Sequence, residues 1–107
     1  LAGTAEFGGL DLPPYWRRAD ILADLAEDFV PGLNTRGAER WMGYRPSLPD
    51  SLPVLGKDPE RRDLYWAFGH GHLGLTMAAI TGKIIAELAS GRDPEIDLSP
   101  FRIDRFI

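Results

Sequence analysis

The chain has 107 residues, with 12 Lys and Arg against 16 Asp and Glu, a formal net charge of −4, and no stretch that gathers its positive charges. That balance lacks the electrostatic footprint of a nucleic-acid binder, and the length allows one modest hydrophobic core. With no cysteine, disulfides, thiolate catalysis and cysteine metal sites are excluded, which fits a reducing compartment without demonstrating one, while no apolar run nears the roughly 20 residues that cross a bilayer.

Residues 1–7 are small or β-compatible and close on Gly8 and Gly9, which predicts a short strand. Pro13 or Pro14 suits the first turn of a helix running to about Val30, where Pro31 and Gly32 end it. Ile21, Leu22, Leu25 and Phe29 make its buried stripe. Arg17 and Arg18 near the start and Glu27 and Asp28 near the end oppose the helix dipole, so packing must hold this helix. Residues 38–45 alternate, with Glu39, Trp41, Gly43 and Arg45 on one face and Ala38, Arg40, Met42 and Tyr44 on the other. Pro46 then removes a backbone donor, so a strand is predicted to stop there. Arg45 stands at that strand end, where a guanidinium either overhangs a pocket, meets solvent or joins a structural ion pair. The Pro-rich connector 48–53 divides the chain into regions 1–50 and 51–107. A short strand at Val54 and Leu55 follows, then a charged turn over 56–63.

Residues 64–68, Leu-Tyr-Trp-Ala-Phe, read as a fully buried strand. From Leu73 onward the pattern changes: Met77, Ile80, Ile84, Ile85 and Leu88 fall near helical spacing, giving a strand–turn–helix junction across Gly69, His70, Gly71, His72, Leu73 and Gly74. A helix mouth leaves its first amides unpartnered and partly positive, and glycines let a flat ligand approach the main chain. Gly74, Ala78, Gly82 and Ala86 form a ribbon of small side chains for close packing, and Gly91 supplies the stop. The match to Gly-x-Gly-x-x-Gly is weak as a pyrophosphate loop, because Glu87, the candidate ribose partner, falls inside the helix. His70 and His72, without a third nearby ligand, fall short of a metal site. The tail after Arg92 carries apolar points at Ile96, Leu98, Phe101, Ile103 and Phe106 and is expected to pack as an extended strap; its charges alternate in sign and indicate no chemistry. The predicted class is α+β.

Three pieces, in this order, resemble the carboxyl-terminal third of the D-amino-acid oxidase superfamily of flavoproteins, most of all the bacterial D-amino-acid dehydrogenases. They are Trp41-Met42-Gly43-Tyr44-Arg45-Pro46-Ser47-Leu48-Pro49-Asp50 with Leu52-Pro53-Val54-Leu55-Gly56; Gly69-His70-Gly71-His72-Leu73-Gly74-Leu75-Thr76; and Ile96-Asp97-Leu98-Ser99-Pro100-Phe101-Arg102 with Asp104-Arg105-Phe106. Gly3-Thr4-Ala5-Glu6-Phe7 is a weaker fourth.

The resemblance implies a piece of a two-domain FAD-dependent oxidoreductase, with substrate-domain strands in 1–50 and the last strand–turn–helix of the FAD-binding domain in 51–107. It further implies that Arg45 pairs with the substrate carboxylate, and that Gly69, His70, Gly71, His72, Leu73, Gly74, Leu75 and Thr76 line the flavin. Hydride leaves the α-carbon of a small amino acid, of D configuration, for the flavin, and the imine hydrolyses. His72 is placed beside the substrate, to tune its choice, or faces solvent; His70 is a structural residue of the loop. Leu73 stands where sarcosine oxidases carry a Lys, which favours the arginine-based branch. The usual Thr-Pro-Asp-Gly of the family is here Leu48-Pro49-Asp50-Ser51. The amino-terminal dinucleotide-binding unit is not among these residues, and the chain opens at Leu1 without an initiator Met, so a piece of a longer polypeptide is expected. Its partners would be the amino-acid substrate and the remainder of the FAD-binding polypeptide or a partner subunit. A cytoplasmic location follows, at most peripheral on the inner membrane. The rival expectation is a non-catalytic module in which Trp41, Tyr65, Trp66 and Phe68 dock a flavoprotein partner.

Overall fold

Antiparallel pairing joins the two apolar segments that flank the charged turn. In the computed structural model, which describes all 107 residues, β1 (Val54–Lys57) and β2 (Tyr65–Phe68) set Val54 opposite Phe68, Leu55 opposite Ala67, Gly56 opposite Trp66 and Lys57 opposite Tyr65. Asp58 organises the connection. One carboxylate oxygen accepts the amides of Glu60 at 2.9 Å and Arg61 at 2.8 Å, and the other takes the Trp66 indole N–H at 2.9 Å. These bonds, the indole first, hold the Asp58 carboxyl below its ordinary range.

A two-stranded ribbon is marginal by itself, and the helix α2 (Gly74–Ala89) covers it. Leu55, Ile84 and Leu88 form the buried cluster, with Tyr65, Ile85, Leu98 and Phe101 packed against it. Each such buried aliphatic contributes about 2 kcal/mol. Ser90 caps the helix and Gly91 follows with φ of 72°; Gly91 N–H reaches Leu88 O at 3.1 Å and Arg92 N–H reaches Glu87 O at 2.9 Å, a Schellman ending. Gly91 is the stop read from the sequence, and Glu87 lies inside the helix.

The chain divides into two units, Leu1–Tyr44 and Arg45–Ile107. The single buried cluster belongs to the second. In the first, α1 (Arg17–Phe29) begins a turn later than Pro13 and Pro14 suggested, after a turn in which Arg18 N–H bonds Tyr15 O. Its expected buried stripe is largely exposed, at 46% for Ile21, 48% for Leu25 and 84% for Phe29; only Ala26 is buried. Ion pairs of Arg18 with Glu6 and Arg40 with Asp20, and a Tyr44 hydroxyl donated to Leu10 O at 2.8 Å, tie the unit together.

Three expectations are corrected. Neither 1–7 nor 38–45 forms a strand, because a strand exists by pairing and no partner strand for either lies within the chain. β2 is half-buried at Tyr65 and Trp66 and exposed at Ala67 and Phe68, since one helix covers only part of a two-stranded ribbon. The tail is not an extended strap throughout: it folds two short 3-10 turns, Ser99–Phe101 and Ile103–Phe106. Asp97 starts the first by accepting both the amide of Ser99 at 2.9 Å and its hydroxyl at 2.6 Å. At the level of class, the small α+β fold with its terminal strand–turn–helix stands. No helix is long and apolar enough to cross a membrane.

Candidate functional site

Between β2 and α2 the chain must reverse within a few residues, and Gly69 and Gly71 do this with φ of 82° and 56°. Gly69 is buried, and a Cβ there would stand 2.5 Å from Leu48 Cδ1 and 2.9 Å from Leu48 Cγ. Gly69 therefore admits the Leu48 side chain on that side of the backbone, a second reason for glycine beyond the ligand approach expected from sequence. The added Cβ would meet only ordinary contacts at Gly71, 3.7 Å from Ser47 Oγ, and at Gly74, 3.8 Å from His70 Cβ.

The segment after Arg45 is bound to this turn. Gly71 N–H donates to Pro46 O at 3.1 Å. Ser47, Leu48 and Ser51 from one side, and residues 69–73 from the other, line a cavity of about 140 Å³. Ser51 N–H closes a turn onto Leu48 O at 2.9 Å, and Ser51 itself adopts φ of 61°, the only non-glycine at positive φ.

The structure distributes the predicted site residues as follows. Arg45 opens the second unit, exposed, and its guanidinium is free of the ion pairs that engage Arg18, Arg40, Arg102 and Arg105. Its neighbours Pro46, Ser47 and Leu48 adjoin the glycine turn. His70 is held from behind: Nε2 and Thr81 Oγ1 lie 2.9 Å apart, and Thr81 is buried on α2. That bond ties the turn to the helix. His72 is exposed. Leu73 occupies the N-cap position of α2 without a side-chain cap, and no acidic residue stands in the first helical turn. The first helical bond runs from Met77 N–H to Leu73 O, so the amides of Gly74, Leu75 and Thr76 precede it. Leu75 is 93% exposed.

One arrangement has no counterpart in the sequence reading. Arg105, with a side chain only 12% exposed, forks onto Asp50, Nε to Oδ2 at 2.7 Å and Nη2 to Oδ1 at 3.1 Å. Nη2 also reaches Leu52 O at 2.8 Å, Nη1 reaches Arg102 O at 2.9 Å, and the guanidinium carbon stands 4.3 Å from the Phe106 ring centre. The fork holds the Asp50 carboxyl below its ordinary range and raises Arg105 in return. Fifty-five residues separate the partners, so no local spacing signals the pair.

Residues 1–88 match the model of the family described as DAO, FAD dependent oxidoreductase. The chain is 46% identical over 110 aligned residues to a D-amino-acid oxidase of Bradyrhizobium diazoefficiens, across 99% of this chain and 26% of that protein. It is 44% identical over 106 residues to a D-amino acid dehydrogenase of Paramagnetospirillum magneticum, across 98% and 25%. Among solved structures it is similar to glycine oxidase from Geobacillus kaustophilus, with a TM-score of 0.55 and 39% identity over 57% of this chain and 16% of the other. The chain belongs to the DAO family of FAD-dependent oxidoreductases, as its motifs indicated. It spans about a quarter of the length of the curated relatives it matches. The docking-module alternative finds no support: the relatives named are oxidoreductases, and the Trp66 indole is engaged internally by Asp58.

Toward FAD, the family's cofactor, these residues fit as one wall. The amides ahead of the first helical bond offer donors to an electron-rich ring edge. The cavity, about 140 Å³, is too small to enclose three fused rings.

Proposed function

We propose that this chain is the carboxyl-terminal part of an FAD-dependent enzyme that oxidises the C–N bond of a small D-amino acid, with Arg45 as the carboxylate anchor and residues 69–76 as a wall of the flavin site. On this reading residues 1–50, Arg45 among them, belong to the substrate-binding region and 51–107 to the FAD-binding region. FAD, with residues 69–76 against its ring, would supply the hydride acceptor. The chain's own residues bind and orient: a planar, permanently charged guanidinium grips a carboxylate with two parallel bonds and so fixes the α-carbon beside it. His72, exposed at the rim, is assigned to substrate choice. His70 keeps the turn on the helix and carries no proton in the reaction.

The observation that carries this reading is the Gly71 N–H to Pro46 O bond at 3.1 Å, which places the backbone next to Arg45 on the glycine turn. Further support comes from the unpaired state of Arg45 and from relatives named D-amino-acid oxidase and D-amino acid dehydrogenase. In the FAD-loaded enzyme Arg45→Lys should raise KM for a D-amino acid about 10-fold or more, because the fork is lost while the charge stays. Unchanged steady-state kinetics would remove Arg45 from the site.

A further inference from the structure

Between Arg45 and the start of β1 the chain has no regular structure of its own, and three attachments hold it. Pro46 O takes the Gly71 amide, the Leu48 side chain fills the space beside Gly69, and Arg105 grips Asp50 and Leu52 O. The first two touch the glycine turn directly. The third comes from the end of the chain, and it is the strongest by chemistry: a two-bond, charge-assisted fork with a further bond to a backbone carbonyl. Arg105 is itself held from two sides, by Arg102 O and by the Phe106 ring, so its fork is pre-set in direction. The Asp50 carboxylate also accepts the Leu52 amide at 3.1 Å, so the fork grips a closed loop.

We infer that Arg105 is a positioning residue for the substrate site: through Asp50 it presses the turn 48–51 onto Gly69, and so sets how the backbone that carries Arg45 meets the glycine turn. Arg105 touches neither substrate nor flavin. Loosening its grip frees the far end of the segment, so Leu48 lifts from Gly69 and the backbone that carries Arg45 is held at Pro46 O alone. Carboxylate binding then weakens, while the environment that accepts the hydride is unaltered. The inference rests on the carboxylate role proposed for Arg45.

The test uses the FAD-loaded enzyme with D-alanine as substrate and propionate as a non-reacting carboxylate, whose binding is read from flavin absorbance. Arg105→Lys and Asp50→Asn are each expected to raise KM for D-alanine and the dissociation constant of propionate on the order of 10-fold, with kcat changed far less. The double variant should be no worse than the worse single, since both remove one contact. Ile84→Val, in the core, controls for lost stability: it lowers the melting temperature and leaves both binding constants in place. If the Arg105 variant does not fold, the Asp50→Asn result alone decides. Wild-type binding constants in the Arg105 and Asp50 variants, or effects that add in the double variant, overturn the inference. If Arg45→Lys shifts the constants and Arg105→Lys does not, only the positioning role fails; if neither does, the carboxylate reading fails first.

Discussion

Ser51 shows how one residue records a conflict between backbone and side chain. Its φ of 61° lies in the left-handed region, where a Cβ crowds the following carbonyl at a cost of about 1–2 kcal/mol, and it sits where the family's usual Thr-Pro-Asp-Gly carries glycine. The turn keeps its shape because Ser51 N–H bonds Leu48 O and Arg105 grips Asp50 next door. Replacing Ser51 by Gly should stabilise the fold by about 1 kcal/mol net of the added freedom of the unfolded chain, read as a higher urea midpoint at unchanged slope. A lower midpoint would mean that the Ser51 side chain contributes more than its backbone costs. The departure at residue 51 was visible in the sequence; the positive φ that makes it costly was not, since only the closed turn imposes it. Arg45 was legible as an arginine next to proline, whereas its freedom from ion pairs follows from the positions of every acidic side chain.

At the scale of elements, what the sequence disclosed tracks how local each element's causes are. The helix α2 is specified by its own spacing, by an uncapped glycine start and by Gly91 at its end, and it forms where the pattern put it. The turn between β2 and α2 depends on Gly69 for two reasons, a φ of 82° and the Leu48 methyl at 2.5 Å from a would-be Cβ; only the first was inferable without coordinates. Gly69→Ala should therefore destabilise the fold by about 2–4 kcal/mol, combining backbone strain with overpacking. Adding Leu48→Ala should recover part of that loss by removing the clash, measured as a partial return of the melting temperature. No recovery would assign the whole cost to the backbone. The segments 1–7 and 38–45 failed as strands for the opposite reason. Alternation makes a segment able to pair, but a ladder requires a second segment, and the sequence of the first does not contain it.

Across the whole molecule, packing and charge are unevenly shared. The buried cluster lies in Arg45–Ile107, and so do Asp50, Asp58, Asp97 and Asp104, whose carboxyls are held below their ordinary range, chiefly by side-chain bonds from Arg105, Trp66, Ser99 and Arg102 respectively. A carboxyl depressed in the folded state binds its proton more readily when unfolded, so its contribution is complete above the ordinary value of 3.8. It is lost as pH falls from there through the lower folded-state values. The second unit should accordingly lose stability below about pH 4, seen as a falling urea midpoint in the fluorescence of Trp66, with Trp16 and Trp41 replaced by Phe. A midpoint unchanged down to pH 3 would show that these bonds contribute nothing net. The central claim, that a substrate carboxylate is held by Arg45 facing the glycine turn, is tested most directly by a crystal structure of the FAD-loaded enzyme with propionate bound. The account predicts both carboxylate oxygens about 2.8 Å from the Arg45 guanidinium, with the flavin ring against residues 69–76. A carboxylate bound at another cation, with Arg45 in solvent, would contradict it.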